Sequence, residues 1–241
     1  DRAIPADGLA ALIMSKGLSA KSYSSSEECL SELLESVSEQ AIMAFGSLYL
    51  AGELRESAAK LLQKKQRKEA LAARNSLRKD YIAGASNTIC KKLISSDEFQ
   101  NSKKIFVYKA VASEVRLDYL IDKATALGKE IYYPLCKGEG EMLALKPEAE
   151  TVWSIGSFGI SEPSEAGSSE AKPSELDLII CPLAAFDENG NRIGMGGGYY
   201  DRFLAKAKSA DVIGVAFDCQ RQERILAQTH DVPLTKVITE K

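Results

Sequence analysis

Apolar positions along the 241 residues fall into short continuous runs alternating with stretches of helical period. Over 58–79, Leu61, Leu62, Ala70, Leu71 and Ala73 recur at helical spacing. Lys60, Lys64, Lys65, Arg67, Lys68, Arg74 and Arg78 fill the other positions, which predicts one long basic helix. A second amphipathic helix is expected over 86–94, ending in a loop at 95–104. Beyond it the pattern predicts a strand at 104–109, a helix at 117–127, a strand at 130–134 and a hairpin-like pair around 142–146. A strand at 176–182, a helix at 200–208 and strands at 212–217 and 236–239 follow. Such alternation argues for an α/β layered domain with a largely parallel sheet. The segment 161–177, with its serines, glutamates, prolines and one glycine, reads as a surface loop. Before the basic helix, short helices are expected at 9–14 and 24–37, the second capped by Ser26 or a neighbour. A buried strand is expected at 40–50, so this region reads as a small α/β remnant.

Composition narrows the class. At 45% hydrophobic and 27% charged residues, the chain resembles an ordinary globular protein rather than a disordered, collagenous or coiled-coil one. No apolar run approaches the ~20 residues of a membrane-crossing helix. No basic-then-apolar leader opens the chain, which predicts no signal peptide, and the absent initiator methionine points to a fragment. Five scattered cysteines without a C-x-x-C pair, and one histidine, His230, disfavour a disulfide framework and a Cys/His zinc site. They fit a reducing, cytoplasmic setting. A single imidazole also makes a Ser-His-Asp or Cys-His hydrolase improbable. Net charge is −3, unevenly spread. Residues 1–57 carry four Lys/Arg against nine Asp/Glu, whereas 58–104 carry twelve against four, so a composition break sits near Ser57.

The most informative segment is 181–205, CPLAAFDENGNRIGMGGGYYDRFLA. A buried strand ends at Pro182, a polar turn follows, and Gly194, Gly196, Gly197 and Gly198 precede a helix opening with Tyr199, Tyr200 and Asp201. Clustered glycines let backbone N–H groups approach an anion, and a helix N-terminus behind them adds partial positive charge. The loop is neither a Walker A motif nor a G-x-G-x-x-G fingerprint. It fits a phosphate cradle or a flexible strand-to-helix connection, and Arg192 and Asp201 favour the first. Arg192 offers a planar fork suited to phosphate, and Asp201 could hold a Mg²⁺ bridging phosphate oxygens. Asp201 as an ordinary first-turn acid is the simpler alternative.

Segment 181–205 closely resembles the signature of the 5-formyltetrahydrofolate cyclo-ligase (methenyltetrahydrofolate synthetase) family. The resemblance extends over most of 60–241 through SSDEFQNSKKIFVY, Ser113-Glu114-Val115, GKEIYYP, FGISEP, DLIICP and HDVPL…VITE. It implies a three-layer α/β/α domain in which ATP and folate meet in a cleft between the glycine loop and the basic helix. It also implies ATP- and Mg²⁺-dependent cyclisation of 5-formyltetrahydrofolate to 5,10-methenyltetrahydrofolate, with release of ADP and phosphate. That chemistry requires positioning and charge neutralisation rather than a protein nucleophile. Carried over by residue, Lys64, Arg67 and the loop Arg192, Gly194, Met195, Gly196, Gly197, Gly198, Tyr199 and Tyr200 would bind ATP. Met195–Tyr199, Glu114 and Phe158 would face the folate, Arg192 and Tyr199 would act in catalysis, and Asp201 and Asp231 would hold the metal. Phe158 could equally be a core aromatic. Gln63 stands where the family has a lysine, Lys109 where it has an apolar residue, and Thr235 where an aspartate is common.

Residues 1–57 resemble instead the closing stretch of folylpolyglutamate synthase, through RAIPADGLAALI and FGSLYLAGELRE, without that enzyme's P-loop portion. The whole reads as two folate enzymes fused and cut within the first, whose missing portion is a candidate partner. The substrate could be polyglutamylated. Competing readings are a folate- or nucleotide-binding module without turnover, or a folylpolyglutamate synthase fragment. No nucleic-acid partner is expected, because the basic stripe lacks stacking aromatics, and no membrane is expected.

Overall fold

The structure is a computed structural model and describes residues 4–36, 48–156, 158–228 and 231–241. They fall into two compact units, 1–64 and 65–241. In the first, α1 spans Ala6–Ser15 and α2 spans Ser26–Ser36. Ser25 supplies the cap of α2, its Oγ accepting from the Glu28 N–H at 3.1 Å. Most of the strand expected at 40–50 lies outside the described residues. Its described end is helical, because α3 runs over Leu48–Asn75, ten residues earlier than the basic pattern alone suggests.

The second unit is built on a seven-stranded sheet. Its strands are β1 (Lys104–Phe106), β2 (Glu130–Cys136), β3 (Met142–Pro147), β6 (Ser168–Ala171), β7 (Leu178–Pro182), β10 (Asp211–Val215) and β11 (Lys236–Ile238). The order is β11-β10-β7-β1-β2-β3-β6. β11, β10, β7, β1 and β2 run parallel, and β3 and β6 add antiparallel. Residues 142–147 therefore form one strand turned back on β2, not a pair. Two short hairpins complete the unit: β4 (Trp153–Ile155) with β5 (Ser161–Pro163), and β8 (Ala185–Phe186) with β9 (Arg192–Ile193).

The period-two rule divides the central strands between two cores. Ile105, Ile131, Leu178, Ile180 and Ile213 face one layer, formed by α4 (Lys79–Ile94) and α6 (Asp118–Ala126). Phe106, Tyr132, Ile179, Cys181 and Val212 face the other, with Phe203 and Leu204 of α7 (Tyr199–Leu204). The Phe106 and Phe203 rings stack at 4.7 Å. Along α4 the buried positions 82, 85, 89, 90 and 93 form one apolar seam, and the buried Ser86 beside it accepts from the Arg116 N–H at 3.0 Å. Burying each large side chain there contributes about 1.5–3 kcal/mol. The three-layer α/β/α expectation is met.

Three local expectations are corrected. The loop expected at 95–104 contains α5 (Asp97–Asn101), where the Phe99 N–H donates to Ser96 Oγ and Phe99 itself is fully buried. The segment 161–177 is not merely a loop, since it carries β5 and the edge strand β6, with Glu162 and Ala171 buried. The helix expected at 200–208 is only the six residues of α7.

Candidate active site

The sheet topology selects where a site can form. β1 and β7 are parallel neighbours, yet the chain leaves β1 for α6 on one face and β7 for α7 on the other. Ligand crevices of open α/β sheets lie at such a reversal, beyond the carboxyl ends of the strands. Two loops converge there, 107–117 after β1 and 183–198 after β7.

The second loop begins with a turn fixed by Asp187. Its carboxylate accepts from the N–H groups of Asn189, Asn191 and Ile225 at 3.0, 3.0 and 2.9 Å, and from Asn191 Nδ2 at 2.9 Å. The turn delivers Arg192 into β9 rather than into the open loop. Arg192 is buried, and its Nη2 donates to Asp201 Oδ1 at 2.6 Å. Its Nε is buried with no acceptor among the described residues, as is the Tyr200 hydroxyl. Two donors without acceptors in one site are the kind of groups that a ligand satisfies. Burial by itself would lower the Arg192 pKa, but attraction to Cys181, Asp201 and Asp231 reverses the direction and raises it. Burial pushes the Cys181 thiol up to about 11.

The glycine loop follows. Met195, Gly196 and Gly197 are exposed, and among the described residues nothing accepts from their N–H groups. Arg67 of α3 braces the loop, Nε donating to Gly194 O at 2.7 Å, and burial lowers its pKa. Arg202 braces the other end by donating to Gly197 O at 2.6 Å and Gly140 O at 2.9 Å. With α7 so short, the positive character of the loop comes from these arginines more than from a helix dipole. Gly198 sits at φ +66°, and a Cβ there would lie 2.8 Å from Arg202 Nη1. Gly198→Ala is therefore expected to lower stability by about 1–2 kcal/mol and to release Arg202. Chemical denaturation checks this, and an unchanged midpoint would contradict it.

On the first loop, Glu114 is buried. Its Oε2 accepts from the Val111 N–H at 3.1 Å and its Oε1 lies 3.8 Å from Arg74 Nη1. Burial raises its pKa, with the Val111 N–H and Arg74 pulling the other way. Ala112, between them, takes a left-handed backbone at φ +48°, the strained kind of conformation that clusters at functional loops. Phe158 is 55% exposed and meets Tyr199 edge-on at 5.4 Å, which removes the core alternative for it.

Arg67, Arg192, Gly194–Gly198, Tyr199, Tyr200, Asp201 and Asp231 thus cluster, with Glu114 within electrostatic range of Tyr200. Lys64, on the first unit, is exposed, while Gln63 beside it is buried. Lys109 sits over the rings of Tyr133 and Trp153 at 5.0 and 4.8 Å. It lines a cavity of about 330 Å³ with Tyr108, Ala112, Arg116, Asp118 and Ile121. Thr235 joins strands, its Oγ1 accepting from the Val212 N–H at 3.0 Å. Arg74 reads in the sequence as one more helix cation, yet it is buried. Its spacing of seven from Arg67, two helical turns, was the available signal.

Among the described residues no group of three or more His, Cys, Asp or Glu side chains is placed to hold a metal alone. His230 lies outside the described residues. Two carboxylates, Asp201 and Asp231, lie near enough to Arg192 to raise its pKa.

Comparison with known proteins closes the description. The model of the 5-formyltetrahydrofolate cyclo-ligase family matches residues 59–240. The 5-formyltetrahydrofolate cyclo-ligase of Haemophilus influenzae is 32% identical over 158 residues, 64% of this chain and 84% of that protein. The solved 5,10-methenyltetrahydrofolate synthetase of Aquifex aeolicus superposes with a TM-score of 0.66 at 33% identity, covering 75% of this chain and 90% of that one. That of Mycoplasma pneumoniae shares the fold, with a TM-score of 0.62 at 22% identity over 74% of this chain and 99% of that one.

Proposed function

Because the chain belongs to the 5-formyltetrahydrofolate cyclo-ligase family, we infer that it is a ligase that uses ATP to cyclise 5-formyltetrahydrofolate to 5,10-methenyltetrahydrofolate. A formamide is a weak electrophile. Transfer of the γ-phosphoryl group to its oxygen activates the carbon, N10 attacks that carbon, and phosphate leaves with the former formyl oxygen. No protein nucleophile is required, in keeping with a site of arginines, glycines and carboxylates.

The observation that carries this reading is Arg192, a buried guanidinium held by Asp201 with its Nε lacking an acceptor. We assign it to the phosphates, where a desolvated, fixed charge stabilises the transferring group most. The exposed N–H groups of Met195, Gly196 and Gly197 cradle the same phosphates, and Arg67 and Arg202 hold that loop in place. Tyr199, with Phe158 against its ring, offers the folate an aromatic wall and serves with Arg192 at the reacting end. Tyr200 donates its buried hydroxyl into the site. Glu114 accepts from the amino-pyrimidine edge of the pterin. Asp201 and Asp231 would hold Mg²⁺, which when bound offsets phosphate charge.

Residues 1–57 are proposed as a remnant of a folylpolyglutamate-synthase-like domain, on the composition break and resemblance given above. A cytoplasmic location and polyglutamylated substrates accompany this reading, and among the described residues no helix is long and apolar enough to cross a membrane. The test is phosphate release. One phosphate is expected per 5-formyltetrahydrofolate consumed, and none with ATP alone. Binding of both ligands without phosphate release would leave the module without turnover as the correct reading.

A further inference from the structure

α3 reaches both loops of the site from one face. Arg67 holds the glycine loop through Gly194 O. Seven residues on, about 10 Å along the axis, Arg74 reaches the β1 loop. Arg74 is itself buried, at 5% exposure, among polar groups: Nε donates to Ser113 Oγ at 3.2 Å and Nη1 lies 3.8 Å from Glu114 Oε1. Ser113 Oγ donates in turn to Asn75 Oδ1 at 2.5 Å. A buried arginine without a ligand of its own, tied to the residue before a site carboxylate and to that carboxylate, does not read as a surface cation of the basic helix.

We propose that Arg74 is a positioning residue for folate recognition: it anchors Ser113 and holds the Glu114 carboxyl group aimed at the pterin, without touching ATP. This rests on the assignment of Glu114 to the folate made above. The titratable groups facing Glu114 are Arg74 from α3, Tyr108 after β1 and Tyr200 from α7. Burial pushes both tyrosines far up, so they stay neutral, and Arg74 supplies the charge that opposes the desolvation of Glu114. The sign follows. Folate affinity is present above the Glu114 pKa and lost as pH falls through it. Without Arg74 that pKa rises further, so the loss begins at higher pH.

The experiment measures 5-formyltetrahydrofolate binding without ATP, together with KM and kcat, from pH 5 to 8 for Arg74→Met, Arg74→Lys, Glu114→Gln and the Arg74→Met/Glu114→Gln double variant. Arg74→Met is expected to weaken folate binding about tenfold at pH 7, more at lower pH, with KM for ATP and kcat at saturating folate within about twofold. Arg74→Lys keeps the charge and is expected to restore the pH profile while losing the Ser113 anchor. It also serves if the methionine variant melts early. The double variant is expected to bind no more weakly than Glu114→Gln. Losses that multiply in the double variant, a parallel loss for ATP, or an unmoved pH profile would overturn the proposal. Folate binding unchanged in Glu114→Gln would overturn the assignment of Glu114 itself, and this proposal with it.

Discussion

Arg192→Ala is expected to lower kcat by on the order of 10²–10³-fold while 5-formyltetrahydrofolate binding stays within about threefold. The asymmetry follows from where the side chain sits. Arg192 is 6% exposed and its fork is oriented by Asp201, so its charge is already desolvated and needs no reorganisation as negative charge moves between oxygens. Alanine removes that charge and also leaves Asp201 and Asp231 without the cation that both attract. Arg192→Lys retains a charge but not a planar fork, and an intermediate loss of about tenfold is expected. Steady-state kinetics with separate folate-binding measurements decide the matter. A kcat unchanged in Arg192→Ala would remove this residue from the phosphates.

Asp187→Ala is expected to have the largest effect on stability. Asp187 is 2% exposed and its two oxygens satisfy three backbone N–H groups and the Asn191 amide. Truncation strands these donors, each buried one carrying a penalty of about 1–3 kcal/mol, so a loss of about 3–5 kcal/mol is expected. The Asp187–Ile225 bond also ties the turn to the segment that follows Phe186 in space, where Gln222 N–H donates to Phe186 O at 2.8 Å. Arg192 begins one residue beyond this turn, so activity falls with stability. Asp187→Asn keeps one acceptor oxygen and is expected to lose less. Urea denaturation measures both, and a loss below about 1 kcal/mol for Asp187→Ala would show that the turn is held elsewhere.

These two residues differ in how far the sequence announces them. Arg192 stands beside a glycine cluster and before Tyr-Tyr-Asp, a combination whose chemistry is readable from residue types. Asp187 reads only as part of a polar turn, because nothing local reveals that Ile225 will donate to it from 38 residues away. The same divide runs through the fold. β7 is a continuous apolar run because both faces of a central parallel strand are covered, and its pattern betrays it. β6 is polar because an edge strand faces water, so Ser168–Ala171 looks like loop until its pairing with β3 is seen. Residues 48–50, Leu-Tyr-Leu, close an apolar run that reads as a strand, yet leucine is a good helix former and the helix continues through them. Arg74 is hidden for another reason. It is one of many cations on α3, and only burial separates it from Lys60, Lys64, Lys65 and Lys68, which are all exposed. The α5 cap at Ser96, with Asp97 and Glu98 behind it, is legible in the sequence, but the polar composition around it points to a loop.

The central claim is that Arg192 and the glycine loop drive ATP-dependent ring closure of 5-formyltetrahydrofolate. The most direct test follows the absorbance of 5,10-methenyltetrahydrofolate after the full chain is mixed with 5-formyltetrahydrofolate and Mg²⁺, with and without ATP. A rise that requires ATP and is nearly abolished in Arg192→Ala is the predicted result. No rise with ATP present, in protein that still binds both ligands, would contradict it.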